Sequence, residues 1–192
     1  MSTTVTPRQP PVFNLPNQLT AARFVLGIIL FALIEYALWV PCILVFALAA
    51  VTDWLDGYLA RKQGLTSTLG RNLDPLVDKV VICGAFIFLV PFTDAGVQAW
   101  MVTVIVSREL IITSLRSFLE NRGATFGADW LGKIKMVLQC AALFAIFVTM
   151  QVPNKETLFW TRNALIYAML AATALSGLQY LWRAAQLFRN NE

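Results

Sequence analysis

Four aspartates stand in two close pairs, Asp53 with Asp56 and Asp74 with Asp78, within the stretch TDWLDGYLARKQGLTSTLGRNLDPLVDK. Residues three and four apart share one face of a helix, so each pair projects as a single acidic site, with Gly57 beside the first. That first pair follows directly on the apolar run CILVFALAAV, where an ionised side chain is costly enough to mark a functional site. Two antiparallel helices joined by LTSTLGRN bring the four carboxylates together, and like charges so close require cations. Oxygen-only donors select a hard cation, magnesium or manganese, and four carboxylates suit two ions. Arg61, Arg71 and Lys79 offer the plainer reading, ordinary ion pairs at a helix-loop-helix junction. Gly57, Ala60 and Gly70 argue against it, because ion pairing has no need of a missing side chain whereas a large ligand approaching the backbone does. A metal site with neighbouring arginine and clearance for a ligand points to phosphate chemistry.

The elements that must position these residues belong to a membrane protein. The chain is 58% hydrophobic and 14% charged, with a mean hydropathy of +0.65. Residues 24–52 carry only Glu35 as a charge and 80–107 only Asp94, while 136–154 and 163–182 carry none. A bilayer core takes about 20 helical residues to cross, so the first two stretches each hold two passes. The expected fold is an all-α integral membrane protein with six transmembrane helices, at 22–38, 41–61, 73–92, 97–116, 130–151 and 158–188. Ahead of them, NQLTAARF with Pro16 near its first turn suits a short interfacial helical segment. Residues 1–13 are expected as a mobile tail, 14–188 as one domain and 189–192 as a C-terminal tail.

In a six-pass layout, thirteen of the fifteen lysines and arginines fall on one side and only Lys155 and Arg162 on the other. Cytoplasmic segments retain such an excess, which places both termini and the aspartates in the cytoplasm. The bases are scattered over helix ends with no aromatic-basic strip, so the net charge of +4 does not indicate nucleic acid. Absence of histidine excludes Ser-His-Asp and Cys-His catalysis and histidine-rich zinc sites. Cys42, Cys83 and Cys140 are dispersed in apolar helices as core filler, without the spacing of a thiolate site. A cation transporter would distribute acids along a path, whereas these cluster at one end.

Arg108 and Arg116 lie slightly over two turns apart in RELIITSLR and face one interior groove; Lys133 and Lys135 flank the start of the fifth helix. These bases suit a pocket for a phosphate-bearing ligand, with membrane-interface anchoring as the alternative for Lys135. Arg108 lies inside an apolar run, which favours an interior role. An ion pair between Arg108 and Glu109 is not expected, since adjacent residues do not face each other on a helix. Small residues at 168–177 allow close helix packing, and Trp100, Trp130, Trp160 and Trp182 mark the interfaces.

Written with its spacings, Asp53-x2-Asp56-Gly57-x2-Ala60-Arg61-x8-Gly70-x3-Asp74-x3-Asp78 resembles the complete signature of the CDP-alcohol phosphotransferases. The resemblance implies six transmembrane helices, a homodimer, and transfer of a phosphatidyl group from CDP-diacylglycerol to an alcohol with release of CMP. By position, Asp53, Asp56, Asp74 and Asp78 match the family's metal-binding aspartates, and Asp78 also its general base. Gly57, Ala60, Arg61 and Gly70 match the donor-binding positions, Gly70 serving close helix approach. The motifs SRELIITSLR, GADWLGKIKMVLQ and NLPNQLTAAR are most similar to the bacterial phosphatidylglycerophosphate synthase branch. That likeness implies glycerol 3-phosphate as acceptor, with Arg108, Arg116, Lys133 and Lys135 on its phosphate, in a bacterial inner membrane. Inositol phosphate, or phosphatidylglycerol as in a cardiolipin synthase, is the alternative acceptor.

Overall fold

The computed structural model describes residues 15–63, 68–120, 130–152 and 155–189, without the side chains of 15–17, 54–63, 68–75, 120, 187 and 188. The described residues form six helices and no strand: α1 (Leu15–Glu35), α2 (Trp39–Gln63), α3 (Thr68–Leu89), α4 (Ala99–Glu120), α5 (Trp130–Gln151) and α6 (Glu156–Arg189). A short 3-10 turn, Thr93–Ala95, separates α3 from α4. The expected interfacial segment is not a separate element. Gln18, Leu19, Ala21 and Ala22 favour a helix and nothing in NQLTAAR breaks one, so it forms the opening turns of α1. Helix α3 starts five residues before its expected boundary and α4 runs four beyond its own.

The α1–α2 reversal is tight because α1 ends in a Schellman motif. The Leu38 amide donates to the Leu33 carbonyl at 2.9 Å and the Ala37 amide to Ile34 at 2.9 Å, with Ala37 in the left-handed region at φ 53°. The turn before α4 is closed by Gly96, also left-handed, at φ 72°. There the buried Arg162 of α6 donates to the Asp94 carbonyl and stacks over Phe159, 4.5 Å from the ring centroid, fastening α6 to the turn.

Helices α1 and α3 approach closely at two glycines. Thr20, Arg23, Gly27, Leu30 and Ile34 are buried at alternating spacings of three and four, forming one continuous seam. A Cβ on Gly27 would stand 2.6 Å from Val81 Cγ2 of α3, and one on Gly84 would strike the Phe31 ring. Beyond them Phe31 and Phe88 stack at 5.1 Å. Side chains at 27 and 84 would therefore wedge the helices apart, one turn from Arg23 on α1 and two turns from Asp78 on α3.

The helix pairs that pack describe two four-membered rings sharing an edge. One is α1, α2, α5 and α3; the other is α3, α4, α6 and α5; helices α3 and α5 are common to both. Between them lies an apolar core that includes Ile34, Phe86, Leu89, Ile105, Leu143 and Phe147, the last edge-on to Phe46 of α2 at 5.8 Å. Leu44, Leu48, Val51, Ile87, Val137, Leu175 and Leu178 face outward instead, an apolar exterior suited to lipid. Trp100, Trp130, Trp160 and Trp182 are all exposed, as an interfacial belt requires. Three described helical spans are long and apolar enough to cross a membrane: Gln18–Glu35, Trp130–Gln151 and Glu156–Gln186.

Ala37 holds a backbone conformation that costs an L-residue about 1 kcal/mol and a glycine far less. Ala37→Gly is expected to raise stability by about that amount, measured as an increased thermal midpoint in detergent.

Candidate active site

The acidic site is organised by a residue to which the sequence assigns only a share of the positive charge. Arg23, on the buried seam of α1, is 3% exposed. Its Nη1 lies 3.0 Å from Asp53 Oδ1 of α2 and 2.8 Å from Asp78 Oδ1 of α3. One nitrogen thus ties three helices, and the two carboxylate oxygens are no further apart than the sum of those distances. Asp53 remains about half exposed while Asp78 is largely covered, so the cluster opens on its α2 side. The convergence expected of Asp53 and Asp78 is what the structure shows. The side chains of Asp56, Gly57, Ala60, Arg61, Gly70 and Asp74 lie outside the described residues, although α2 and α3 carry those positions as helix.

Next to Asp78, Lys79 turns the other way and donates to Thr113 Oγ1 of α4, whose hydroxyl in turn donates to the Glu109 carbonyl at 2.6 Å. This contact links the acidic cluster to a basic one in the second ring. Arg108 Nη2 donates to Ser176 Oγ of α6 at 2.8 Å, and its stem runs past Gly177, where a Cβ would stand 3.3 Å from Arg108 Cγ. Arg116 donates to the Tyr180 hydroxyl and lies over that ring, 5.2 Å from its centroid. The two arginines share a face, as their spacing predicts, and it is α6 that they meet.

The lysines separate. Lys133 is exposed, whereas Lys135 is 4% exposed and forms an ion pair with Glu109, itself 5% exposed. Burial on a carboxylate is not the surface anchoring considered for Lys135. Arg108 Nη1 also reaches Glu109 Oε1, at 3.3 Å, contrary to the expectation that neighbours on a helix stay apart. The backbone does direct the two side chains differently; the long arginine stem folds back to a carboxylate held in place by Lys135. Glu109 therefore carries one negative charge against two cations. Helix α5 packs on α2, α3 and α6, which puts it beside both clusters. The three cysteines are free.

Two carboxylates converging from separate helices, beside a cluster with surplus positive charge, match a site that handles a phosphate ester. A family model described as CDP-alcohol phosphatidyltransferase matches residues 13–178. The chain belongs to this family. Among curated relatives, a protein of Bacillus subtilis (strain 168) is 36% identical over 192 aligned residues, covering 90% of this chain and 97% of its own. One from Escherichia coli (strain K12) is 32% identical, covering 91% and 92%. One from Pectobacterium atrosepticum is 38% identical, covering 70% and 76%. All three are named CDP-diacylglycerol–glycerol-3-phosphate 3-phosphatidyltransferase. The family resemblance carried by the aspartate signature thus holds across most of the chain.

Sequence reasoning missed Arg23 and Glu109. For Arg23 the signal was its register: it continues the spacing of Gly27, Leu30 and Ile34. For Glu109 it was an acid in an apolar run next to a base already singled out.

Removing one partner of a largely buried ion pair leaves the others uncompensated. Arg23→Ala is expected to destabilise the metal-free protein by about 3 kcal/mol in thermal unfolding, more than Arg23→Lys does. Added magnesium should return part of the loss by supplying the missing cation.

Proposed function

We propose that the protein transfers the phosphatidyl group of CDP-diacylglycerol to glycerol 3-phosphate, giving phosphatidylglycerol phosphate and CMP. The observation that carries this reading is the adjacency of two oppositely charged clusters: carboxylates at the α1–α2–α3 junction and the Arg108–Lys135 group between α4, α5 and α6. The first suits a cation-bridged diphosphate and the second a phosphate-bearing acceptor. The names of the curated relatives support the same donor and acceptor.

Asp53 and Asp78 converge on Arg23 and themselves offer only oxygen donors, which fits a hard divalent cation; Asp56 and Asp74 would complete the ligand set, for magnesium or manganese, as two ions. When bound, such ions neutralise the donor diphosphate and stabilise charge on the leaving CMP. Asp78 takes the proton of the acceptor hydroxyl as that oxygen bonds to the β-phosphorus and the bond to CMP breaks, the electron pair leaving with CMP. Arg23 holds Asp53 and Asp78 in register and offsets part of their charge. Gly57 and Ala60 leave room for the cytidine, Arg61 contacts donor phosphate, and Gly70 lets α2 and α3 draw close. Arg108, Arg116, Lys133 and Lys135 draw in the acceptor phosphate. Arg116 and Lys133, with exposed side chains, meet it first.

The reaction joins a lipid-soluble donor to a water-soluble acceptor, so its site belongs at a membrane face. All six helices cross a bacterial inner membrane in this reading, with the clusters and both termini on the cytoplasmic side, and two chains form a homodimer. The excess of lysine and arginine on that side supports the orientation.

CMP release from CDP-diacylglycerol should occur with glycerol 3-phosphate and not with inositol phosphate, serine or phosphatidylglycerol. It should stop when magnesium is chelated, and Asp78→Asn should lower it by about 100-fold or more. Release with a different alcohol would discard the acceptor assignment and keep the site chemistry.

A further inference from the structure

Glu109 occupies an unusual place in the second ring. Helices α4 and α5 lie diagonally across that ring, each packed on α3 and α6, and the Glu109–Lys135 ion pair spans the space between them. Further buried polar groups stand on the helices of this ring. Arg108 Nε, Gln139 Nε2 and Thr173 Oγ1 are buried with no hydrogen-bond partner among the described residues, and Gln139 and Thr173 are 2% and 0% exposed. Gln139 stands one turn beyond Lys135 on α5, and Thr173 one turn before Gly177, against which Arg108 lies. Buried polar atoms normally have partners, and these three come from the three helices that hold the cations. Hydrogen-bonding capacity at these three groups is thus left over beyond what the Glu109 carboxylate uses.

We propose that Glu109 is an internal stand-in for the acceptor phosphate: it neutralises Lys135 and Arg108 while the acceptor is absent and is displaced from them when a phosphate monoester binds. The inference rests on the acceptor reading above and adds a residue which that reading leaves without a role. Its physical basis is the charge balance. Arg108 and Lys135 buried without an anion would destabilise the empty protein, so a carboxylate is held between them. A phosphate dianion brings twice the charge and more acceptor oxygens than one carboxylate, and it can also use the donors at Gln139, Thr173 and Arg108 Nε. Every interaction that Glu109 makes with the two cations is one the incoming phosphate must replace, so Glu109 weakens acceptor binding while it stabilises the empty site.

The two effects have opposite signs in a single variant, which a merely structural brace would not produce. In Glu109→Gln the side chain keeps its shape and loses its charge. The full chain in detergent, titrated with inorganic phosphate and followed by thermal shift, should unfold at lower temperature than the unsubstituted protein when phosphate is absent. It should nevertheless bind phosphate more tightly, by about fivefold or more. The KM for glycerol 3-phosphate should fall in the same sense while the KM for CDP-diacylglycerol stays unchanged. Lys135→Gln should weaken phosphate binding. If Glu109→Gln does not fold, Glu109→Asp, whose shorter stem draws the carboxylate away from Lys135, should show the same tightening to a smaller degree. Phosphate binding unchanged or weaker in the glutamate variants overturns the proposal. Tighter phosphate binding without CMP release from any phosphate-bearing alcohol would sustain the role of Glu109 and discard the reaction.

Discussion

A single guanidinium sets the geometry of the acidic site. Arg23 is almost fully buried, and among the described residues Asp53 and Asp78 share its charge and make it tolerable there. The reverse also holds, since two carboxylates that close would repel without the cation between them. Arg23 can reach both because Gly27 and Gly84 let α1 and α3 approach to the distance that its side chain spans. The apolar seam from Gly27 to Ile34, the stacked Phe31 and Phe88, and the ion pairs at Arg23 are successive levels of one helix contact.

The second ring uses a different economy of charge. Its cations are fixed by neutral partners on α6, Ser176 and Tyr180, and by one acid on α4, Glu109. Hydroxyls orient a guanidinium without cancelling its charge, so the cluster keeps a positive surplus in an apolar setting. The stripe of small residues on α6 serves this arrangement: Gly177 makes room for the Arg108 stem, and Ser176 receives its donor. Adjacent residues Asp78 and Lys79 on α3 then face opposite clusters, so the helix shared by both rings joins two sites of opposite sign. The proposed reaction asks for this juxtaposition, a cation-bridged donor beside an anionic acceptor.

Against these polar interiors stands an exterior of leucine, valine and isoleucine. In water such a surface would drive association, whereas against lipid it has no such tendency, and the internal contacts alone must hold the bundle. Interior ion pairs and close glycine contacts therefore carry more of the specificity of packing here than burial of apolar area does.

The all-helical class, the six helices of the described residues, the approach of Asp53 to Asp78 and the family were legible in the sequence because each depends on local spacing: apolar runs of fixed length and aspartates at helical periods. The common face of Arg108 and Arg116 was legible for the same reason. The partner of Asp53 and Asp78, across α1, was decided only by tertiary structure, as was the division of Lys133 from Lys135 and the capture of Glu109 between two cations. Periodicity fixes the face of a helix on which a residue lies. Which face of which other helix it meets depends on packing between segments far apart in the chain, and buried charge pairs form only where that packing brings them together.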